Sequence, residues 1–315
     1  MKRPLIILAG PTAVGKTKAS IELAKQLNAE IISADSMQVY KYMDIGSAKI
    51  RKEEMDGITH HLVDVLDPEE DFNVVRFQSM AMDALEEIYK KGKIPLLVGG
   101  TGFYIQALLY GIDFTENDND DTYRKELEEL GNRFGAEYLH DILVQVDPES
   151  AQAIHTNNVK RTIRALEFYK QTGKKISEHN EKERTKESPY NYAYFVFTDE
   201  RSKLYERINQ RVDIMMKEGL LEEVRFLKDR GVERTTTSMQ GLGYKELLDY
   251  LDDSCSLEEA VRIIKRDTRH FAKRQLTWFK REKEVIWVDR SKFDNDDNEM
   301  LSYMLEQLKQ RKIIK

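Results

Sequence analysis

Gly10-Pro11-Thr12-Ala13-Val14-Gly15-Lys16-Thr17 constrains this chain more than any other stretch. Its glycine spacing and closing Gly-Lys-Thr fit G-x-x-x-x-G-K-[ST], a loop whose backbone N–H groups cradle phosphates. The run Leu5-Ile6-Ile7-Leu8 precedes it as a buried strand does, and Ala19, Ile21, Leu23, Ala24 and Leu27 follow at helical spacing. Strand, glycine loop and helix start gather N–H donors at the positive end of a helix dipole, which is an anion site. Gly10 to Thr17 are therefore expected to hold a polyphosphate. Lys16 adds a point charge on the outer phosphates, and the Thr17 hydroxyl is a ligand for Mg²⁺. The same context sets the fold class: an α/β core of the P-loop type, a parallel sheet flanked by helices.

Further apolar runs extend that sheet. Glu30-Ile31-Ile32-Ser33-Ala34 reads as a strand ending at Asp35 and Ser36, with Gln38 and Tyr40 just beyond. Ligands of open parallel sheets sit beyond the carboxyl ends of the strands, so Asp35 is expected beside the phosphate loop. A turn-capping Asp is the alternative. His60 to Leu66 reads as a third strand. Its adjacent histidines would face opposite ways, which suits structural roles better than joint metal ligation. Ile94 to Val98 is a strand running into Gly99-Gly100-Thr101-Gly102, where Thr101 is either a hydroxyl at the sheet edge or part of a plain tight turn.

Thr115 to Asp121 has linker character, polar and acidic. From there to about Tyr192 the pattern is helical, over Tyr123–Phe134, Ala136–Val144, Pro148–Ile154 and Val159–Thr172, before Asn180 to Asn191 turns polar again. Tyr192–Thr198 then resumes the strand pattern. The expected organisation is a core of residues 1–116 and 193–315 interrupted by an all-helical insertion of residues 117–192. Helices over Leu204–Lys217 and Leu257–Arg281 and a late strand Val285–Asp289 complete the core.

Charge decides which partners to consider. The formal net charge is −6, yet Arg262, Lys265, Arg266, Arg269, Lys273, Arg274, Lys280 and Arg281 crowd one helix, interleaved with Phe271, Trp278 and Phe279. Lys160, Arg161 and Arg164 form a second basic stretch. Local basic patches on an acidic chain point to one defined nucleic-acid groove, against the alternative of solvated helix faces. A single cysteine, Cys255, excludes a disulfide framework and a cysteine-based zinc finger and suits a reducing compartment. No run of eighteen or more apolar residues exists to span a membrane, and the N-terminal run is short for a signal peptide. A cytoplasmic protein is expected. The phosphate loop leaves two classes open, NTP-driven enzymes and enzymes acting on diphosphate esters. Asp64 and Asp289 are weak candidates for the strand-end acid of an NTPase.

The motifs, taken together and in order, resemble the bacterial tRNA dimethylallyltransferases, the tRNA isopentenyltransferase family. The matching stretches are GPTAVGKT at 10–17, DSMQVY at 35–40, DIGSAK at 44–49, LLVGGTGFY at 96–104, KRTIRALE at 160–167, GLGYKE at 241–246 and TRHFAKRQLTW at 268–278. Eukaryotic relatives often carry a C-terminal zinc finger, which one cysteine does not permit here. The resemblance implies transfer of a dimethylallyl group from its diphosphate to the N6 amine of the tRNA adenosine just 3′ of the anticodon, with release of pyrophosphate. Mg²⁺ on Thr17 is the implied cofactor.

It further implies that the 10–17 loop and Arg211 hold the diphosphate, that Asp35 orients and deprotonates the amine, and that Thr101 contacts the adenosine. Catalysis would thus rest on Lys16, Asp35, Thr101 and Arg211. Ser36, Met37 and Gln38 would line the nucleotide end of a channel into which the base is flipped. Arg124, Lys160, Arg161, Thr162, Ile163 and Arg164 would grip the anticodon stem-loop, together with Gly241, Leu242, Gly243, Tyr244, Lys245, Lys273 and Arg274. A monomer is expected, because tRNA would surround much of the surface. A small-molecule or nucleotide kinase is the enzymatic alternative, and a non-catalytic RNA-binding module with a vestigial phosphate loop is the binding one.

Overall fold

Strands that are apolar on both faces need a sheet covered on both sides, and the chain supplies the covering helices between its strands. A computed structural model describes residues 2–114, 122–294 and 296–314. In chain order the first elements are β1 (Arg3–Ala9), α1 (Lys16–Leu27), β2 (Ala29–Ala34), β3 (His60–His61), α2 (Val74–Lys90), β4 (Ile94–Gly99) and α3 (Gly102–Tyr110). Five helices follow: α4 (Thr122–Phe134), α5 (Ala136–Val146), α6 (Pro148–Ala153), α7 (Val159–Thr172) and α8 (Ile176–Arg184). The chain then returns through β5 (Tyr190–Thr198), α9 (Arg201–Glu218), α10 (Leu220–Asp229), α11 (Tyr244–Leu251), α12 (Leu257–Phe279), β6 (Val285–Asp289) and α13 (Asp297–Gln310).

The sheet has six strands in the order β3-β2-β4-β1-β5-β6, and every neighbouring pair is parallel. β1 lies centrally, and Leu5, Ile6, Ile7, Leu8 and Ala9 are all at 0% exposure. Val14 from the phosphate loop, Leu23 from α1, Leu204 and Ile208 from α9 and Met304 and Leu308 from α13 pack with Leu8, Phe195 and Phe197 in one core. Burying a side chain of this size stabilises by about 1.5–3 kcal/mol, so the loop's Val14 is held as firmly as a core residue.

Chain contacts divide the molecule into two compact units, Met1–Leu109 with Pro189–Lys315, and Tyr110–Ser188. The second is all-helical and has its own core, in which Leu127, Leu139, Leu143, Ile163 and Leu166 come together. The stretch expected to act as a linker, 115–121, lies outside the described residues, as does the expected boundary at 116–117.

Two sequence expectations need correction, and one helix was not expected. The third strand is only His60–His61, because Leu62 and Asp64 take left-handed φ values of 62° and 59° and turn the chain out of the ladder. Its histidines do have structural partners, His60 the Ile58 carbonyl and His61 the Glu30 carboxylate. Helix α8 falls in a stretch expected to be mostly polar connection. It buries only Glu183, so it offers no apolar stripe for periodicity to detect. Helix α13 does carry such a stripe and was simply not among the expected helices. Asp296 caps it by accepting from the Asn298 and Glu299 N–H groups, and Met300, Leu301, Met304 and Leu308 are its buried face.

Candidate active site at the carboxyl ends of the strands

The phosphate loop leaves β1 at Gly10 and enters α1 through Gly15, which occupies the N-cap position in the left-handed region at φ 94°. Several side chains hold its shape. Lys16 folds back so that Nζ donates to the Gly10 and Pro11 carbonyls, both at 2.8 Å. Arg207 on α9 donates through Nε to the Ala13 carbonyl at 3.2 Å. Its other branch is fixed on the buried Asp199 carboxylate at 2.6 Å. Thr12 N–H donates to Gln275 Oε1 on α12 at 3.0 Å. Thr17 stands exposed in the first turn of α1.

Positive charge concentrates here. Burial lowers the Lys16 ammonium to a pKa of about 8; the Asp35 charge works to raise it, and the nearby Arg211 guanidinium lowers it further. Burial also lowers the pKa of Arg211. Among the described residues no carboxylate pairs with Arg211. Two cations thus converge on a loop already rich in N–H donors, an arrangement that needs an anion to balance it.

Asp35 and Thr101 come from the ends of the neighbouring strands β2 and β4. Thr101 N–H donates to the Ala34 carbonyl at 3.2 Å, tying the two strand ends together. Both sequence readings of Asp35 have a counterpart in its two oxygens. Oδ1 accepts the Met37 and Gln38 N–H groups at 2.8 and 3.3 Å, capping the turn. Oδ2 has no hydrogen-bond partner among the described residues and is open to accept one. Gln38 accepts from the Ser33 hydroxyl and donates to the Ser47 and Ala48 carbonyls. Ser36 and Met37 are half-buried on the same turn.

The basic and motif residues divide by burial. In the helical unit Lys160 and Arg161 are exposed and Arg164 is half-buried. Thr162 at 0% and Ile163 at 4% exposure face that unit's interior, so their side chains do not meet a partner at the surface as the sequence reading had them. Arg124 is committed to Glu167 by a two-pronged ion pair at 2.9 and 2.7 Å. In the α/β unit Gly241, Gly243 and Tyr244 are buried, leaving Leu242 and Lys245 as the reachable members of that stretch.

On α12, Arg262 pairs with Glu259, Arg266 with Asp267 and Lys265 with Asp213. Arg269 donates to Asn209. The expected basic stripe is therefore largely neutralised at its start. Lys273 and Arg274, farther along, are exposed, and with His270, Thr277, Trp278 and Arg281 they line a shallow hollow of about 340 Å³.

Sequence reasoning placed Arg207 on one helix face with Arg211 but gave it no role, and passed over Glu223 and Gln275; all three hold loops of this unit. Gln275 lies within a quoted motif, but an uncharged residue among so many basic ones carried no signal of its own. Of the two candidate strand-end acids, Asp64 lies past the end of β3 and is engaged by Lys49 at 3.0 Å, while Asp289 caps the turn after β6 through Ser291.

Comparison with known proteins gives the family. A family model described as IPP transferase matches residues 38–282, and one described as isopentenyl transferase matches residues 3–67. The chain is 62% identical over 313 residues to a tRNA dimethylallyltransferase of Lachnoclostridium phytofermentans, with 99% of this chain and 100% of the relative covered. Among solved structures, the full-length tRNA isopentenylpyrophosphate transferase of Bacillus halodurans is 46% identical with a TM-score of 0.74, covering 99% of this chain and 98% of that one. A eukaryotic dimethylallyltransferase captured acting on tRNA is 32% identical with a TM-score of 0.80, covering 91% of this chain and 74% of that one. By these matches along nearly its whole length, the chain belongs to the IPP transferase family, that of the tRNA dimethylallyltransferases.

Proposed function

We propose that this protein transfers a dimethylallyl group from dimethylallyl diphosphate to the N6 amine of the adenosine 3′-adjacent to the anticodon in tRNA, releasing pyrophosphate. The observation that carries the reading is the pair Lys16 and Arg211, two cations close enough at the phosphate loop for one to lower the pKa of the other and neither bonded to a carboxylate among the described residues, beside an Asp35 carboxylate with one oxygen open. A diphosphate leaving group supplies the charge the cations need, and an exocyclic amine supplies the proton the carboxylate can take.

The allylic C–O bond breaks and its electron pair leaves with the diphosphate, where Lys16, Arg211 and the N–H groups of the loop stabilise the growing negative charge. Arg211 offers a planar fork suited to two phosphate oxygens. The N6 lone pair forms the new C–N bond, and the amine proton passes to Asp35 Oδ2, which the capping bonds at Oδ1 hold in place. Thr101, tied to Ala34 beside Asp35, supports the adenosine from the neighbouring strand end. The donor set fits a metal that arrives with its phosphates: residues 10–17 offer one exposed hydroxyl, Thr17, and Mg²⁺ commonly keeps water and phosphate oxygens as most of its ligands. When bound, Mg²⁺ adds charge neutralisation on the diphosphate.

The RNA partner in this reading is the anticodon stem-loop, whose unstacked bases are cheap to extrude. Lys160 and Arg161 on the helical unit and Lys245, Lys273 and Arg274 on the α/β unit are its proposed phosphate contacts. The protein is taken to act as a monomer in the cytoplasm; no described helix is long and apolar enough to cross a membrane. The test is direct. Protein, Mg²⁺, labelled dimethylallyl diphosphate and unmodified tRNA are mixed, and label is expected in RNA; no incorporation by a demonstrably folded sample rejects the reading. Heat protection by dimethylallyl diphosphate but not by ATP separates it from a kinase.

A further inference from the structure

Gln275 lies on α12, at 7% exposure, with both ends of its carboxamide in use. Oε1 accepts the Thr12 N–H of the phosphate loop at 3.0 Å, and Nε2 donates to the Gly100 carbonyl at 3.0 Å. Thr12 and Gly100 belong to different loops, after β1 and after β4. The second loop carries Thr101 and is itself bonded to Ala34, the residue before Asp35. One buried amide thus joins the loop proposed to hold the leaving group to the strand ends proposed to hold the acceptor.

The neighbouring residues are shaped around this contact. A Cβ on Gly100 would fall 2.2 Å from Gln275 Nε2, and one on Gly102 would fall 2.2 Å from Trp278 Cδ1. Gln275 and Trp278 are three apart and so share a helix face. Two residues of α12 therefore pack against two glycines of the Gly99-Gly100-Thr101-Gly102 turn: a Cβ on Gly102 would strike the Trp278 ring, and one on Gly100 would displace the Gln275 amide. Lys273 and Arg274 of the same helix are exposed, beside Trp278 in the hollow they line together. An amide is the group for this place, because it accepts at one end and donates at the other; neither a carboxylate nor an amine does both.

We infer that Gln275 is a positioning residue that sets the separation between the diphosphate loop and the Thr101–Asp35 side of the site. Its kinetic consequence rests on the prenyl-transfer reading, whereas the clamp itself does not. The amine must meet the allylic carbon at near-contact distance as the C–O bond opens, and a misplacement of about 1 Å in such a pair slows reaction roughly 10²-fold. Gln275 touches neither substrate in this scheme. It acts through Thr12 and Gly100.

The test uses the full-length protein and inorganic pyrophosphate as the probe. Hydrogen exchange is followed at the segments containing residues 10–17 and 99–102. In the wild type, pyrophosphate is expected to slow exchange at least threefold in both segments, because the clamp transmits the ordering. In Gln275→Met, which keeps the length and loses both hydrogen bonds, the 10–17 segment still responds and the 99–102 segment does not. Gln275→Glu, which keeps the acceptor for Thr12 but turns a carboxylate oxygen on the Gly100 carbonyl, gives the same uncoupling and stands in should the Met variant misfold. In the transfer assay both variants are expected to lose tenfold or more in kcat, with KM for either substrate within threefold and a thermal midpoint lowered only by the few degrees that two hydrogen bonds account for.

Undiminished coupling in both variants overturns the clamp. So does a parallel fall in kcat, substrate affinity and thermal midpoint, which marks a merely structural residue. If the wild type transfers no label, the prenyl-transfer reading fails, and the exchange experiment still decides the clamp.

Discussion

Tyr244 donates its hydroxyl to Glu223 at 2.7 Å, and that carboxylate also receives the N–H groups of Asp44, Ile45 and Gly46 at 2.8, 2.8 and 3.0 Å. The Tyr244 ring lies where a Cβ on Gly46 would stand, 2.6 Å away. Two sequence motifs, DIGSAK and GLGYKE, are thus halves of one packing unit joined by a glutamate that neither contains. Tyr244→Phe is expected to cost about 1 kcal/mol, the net value of one hydrogen bond. Gly46→Ala should cost more, since the ring has to move. Urea denaturation of both variants checks the order, and an equal or reversed ranking contradicts this packing.

Asp35 allows its two oxygens to be tested apart. Asp35→Asn keeps an oxygen that can cap Met37 and Gln38 but has no carboxylate to take a proton, so stability should hold while turnover falls about 10²–10⁴-fold. Asp35→Ala should lose turnover similarly and, in addition, about 1 kcal/mol of stability from the missing cap. Affinity for tRNA is expected to change little in either. Transfer kinetics alongside thermal melts distinguish the two effects.

Lys16 gives a pH signature. Its pKa of about 8, set first by burial, means that the free protein carries this charge below pH 8 and sheds it above. Diphosphate binding restores the charge, so one proton is taken up on binding, and affinity should fall toward tenfold per pH unit above about 8. The same shift acts on stability with the opposite slope. Between about 8 and the ordinary lysine value the unfolded chain binds more protons than the folded one, and the fold gains as pH rises. Asp35→Asn removes the charge that supports Lys16 and should move the break in affinity to lower pH. Calorimetric titration of pyrophosphate across pH 6.5–10 reads the affinity, the proton uptake and the shifted break, and urea unfolding over the same range reads the stability.

The helical unit separates surface charge from interior packing along a single helix. Lys160→Ala and Arg161→Ala are expected to weaken tRNA binding and reduce the slope of log K against log salt by about 1 each. Ile163→Ala should leave that slope unchanged and cost about 2–4 kcal/mol, as large-to-small changes in cores do. Weakened tRNA binding by a folded Ile163→Ala, at unchanged slope, would mean that its side chain reaches the RNA after all.

Glu30 offers a test of the sheet's opposite end. Burial works against its charge, yet hydrogen bonds from Lys93, His61 and Lys91 outweigh it and hold the carboxylate at about 2. Its contribution is complete above the unfolded value near 4.5 and is lost as pH falls from there toward 2. Glu30→Gln should therefore be destabilised at pH 7, and the gap to the wild type should narrow below pH 4. Melting curves at pH 7 and 3 check this.

The local elements were legible because they depend on neighbours in sequence. Alternating apolar runs and glycines named β1, its loop and α1, and the periodicity over Val159–Thr172 matched α7 to the residue. Asp35 at a strand end implied its place beside the loop, because parallel sheets gather ligands at that edge. Elements without an apolar stripe, such as α8, were not legible, since amphipathicity was the signal being read.

Long-range pairing was beyond the sequence. Nothing local told that Glu223 would collect three N–H groups from residues 44–46, or that Tyr244 would be buried on Gly46 instead of facing RNA. Nor could it tell that Gln275 would reach Thr12 across 263 residues. The phosphate loop's chemistry was therefore determined by eight consecutive residues. The separation between that loop and Asp35 depends on which distant side chains fill the space around them, and only the folded packing decided it.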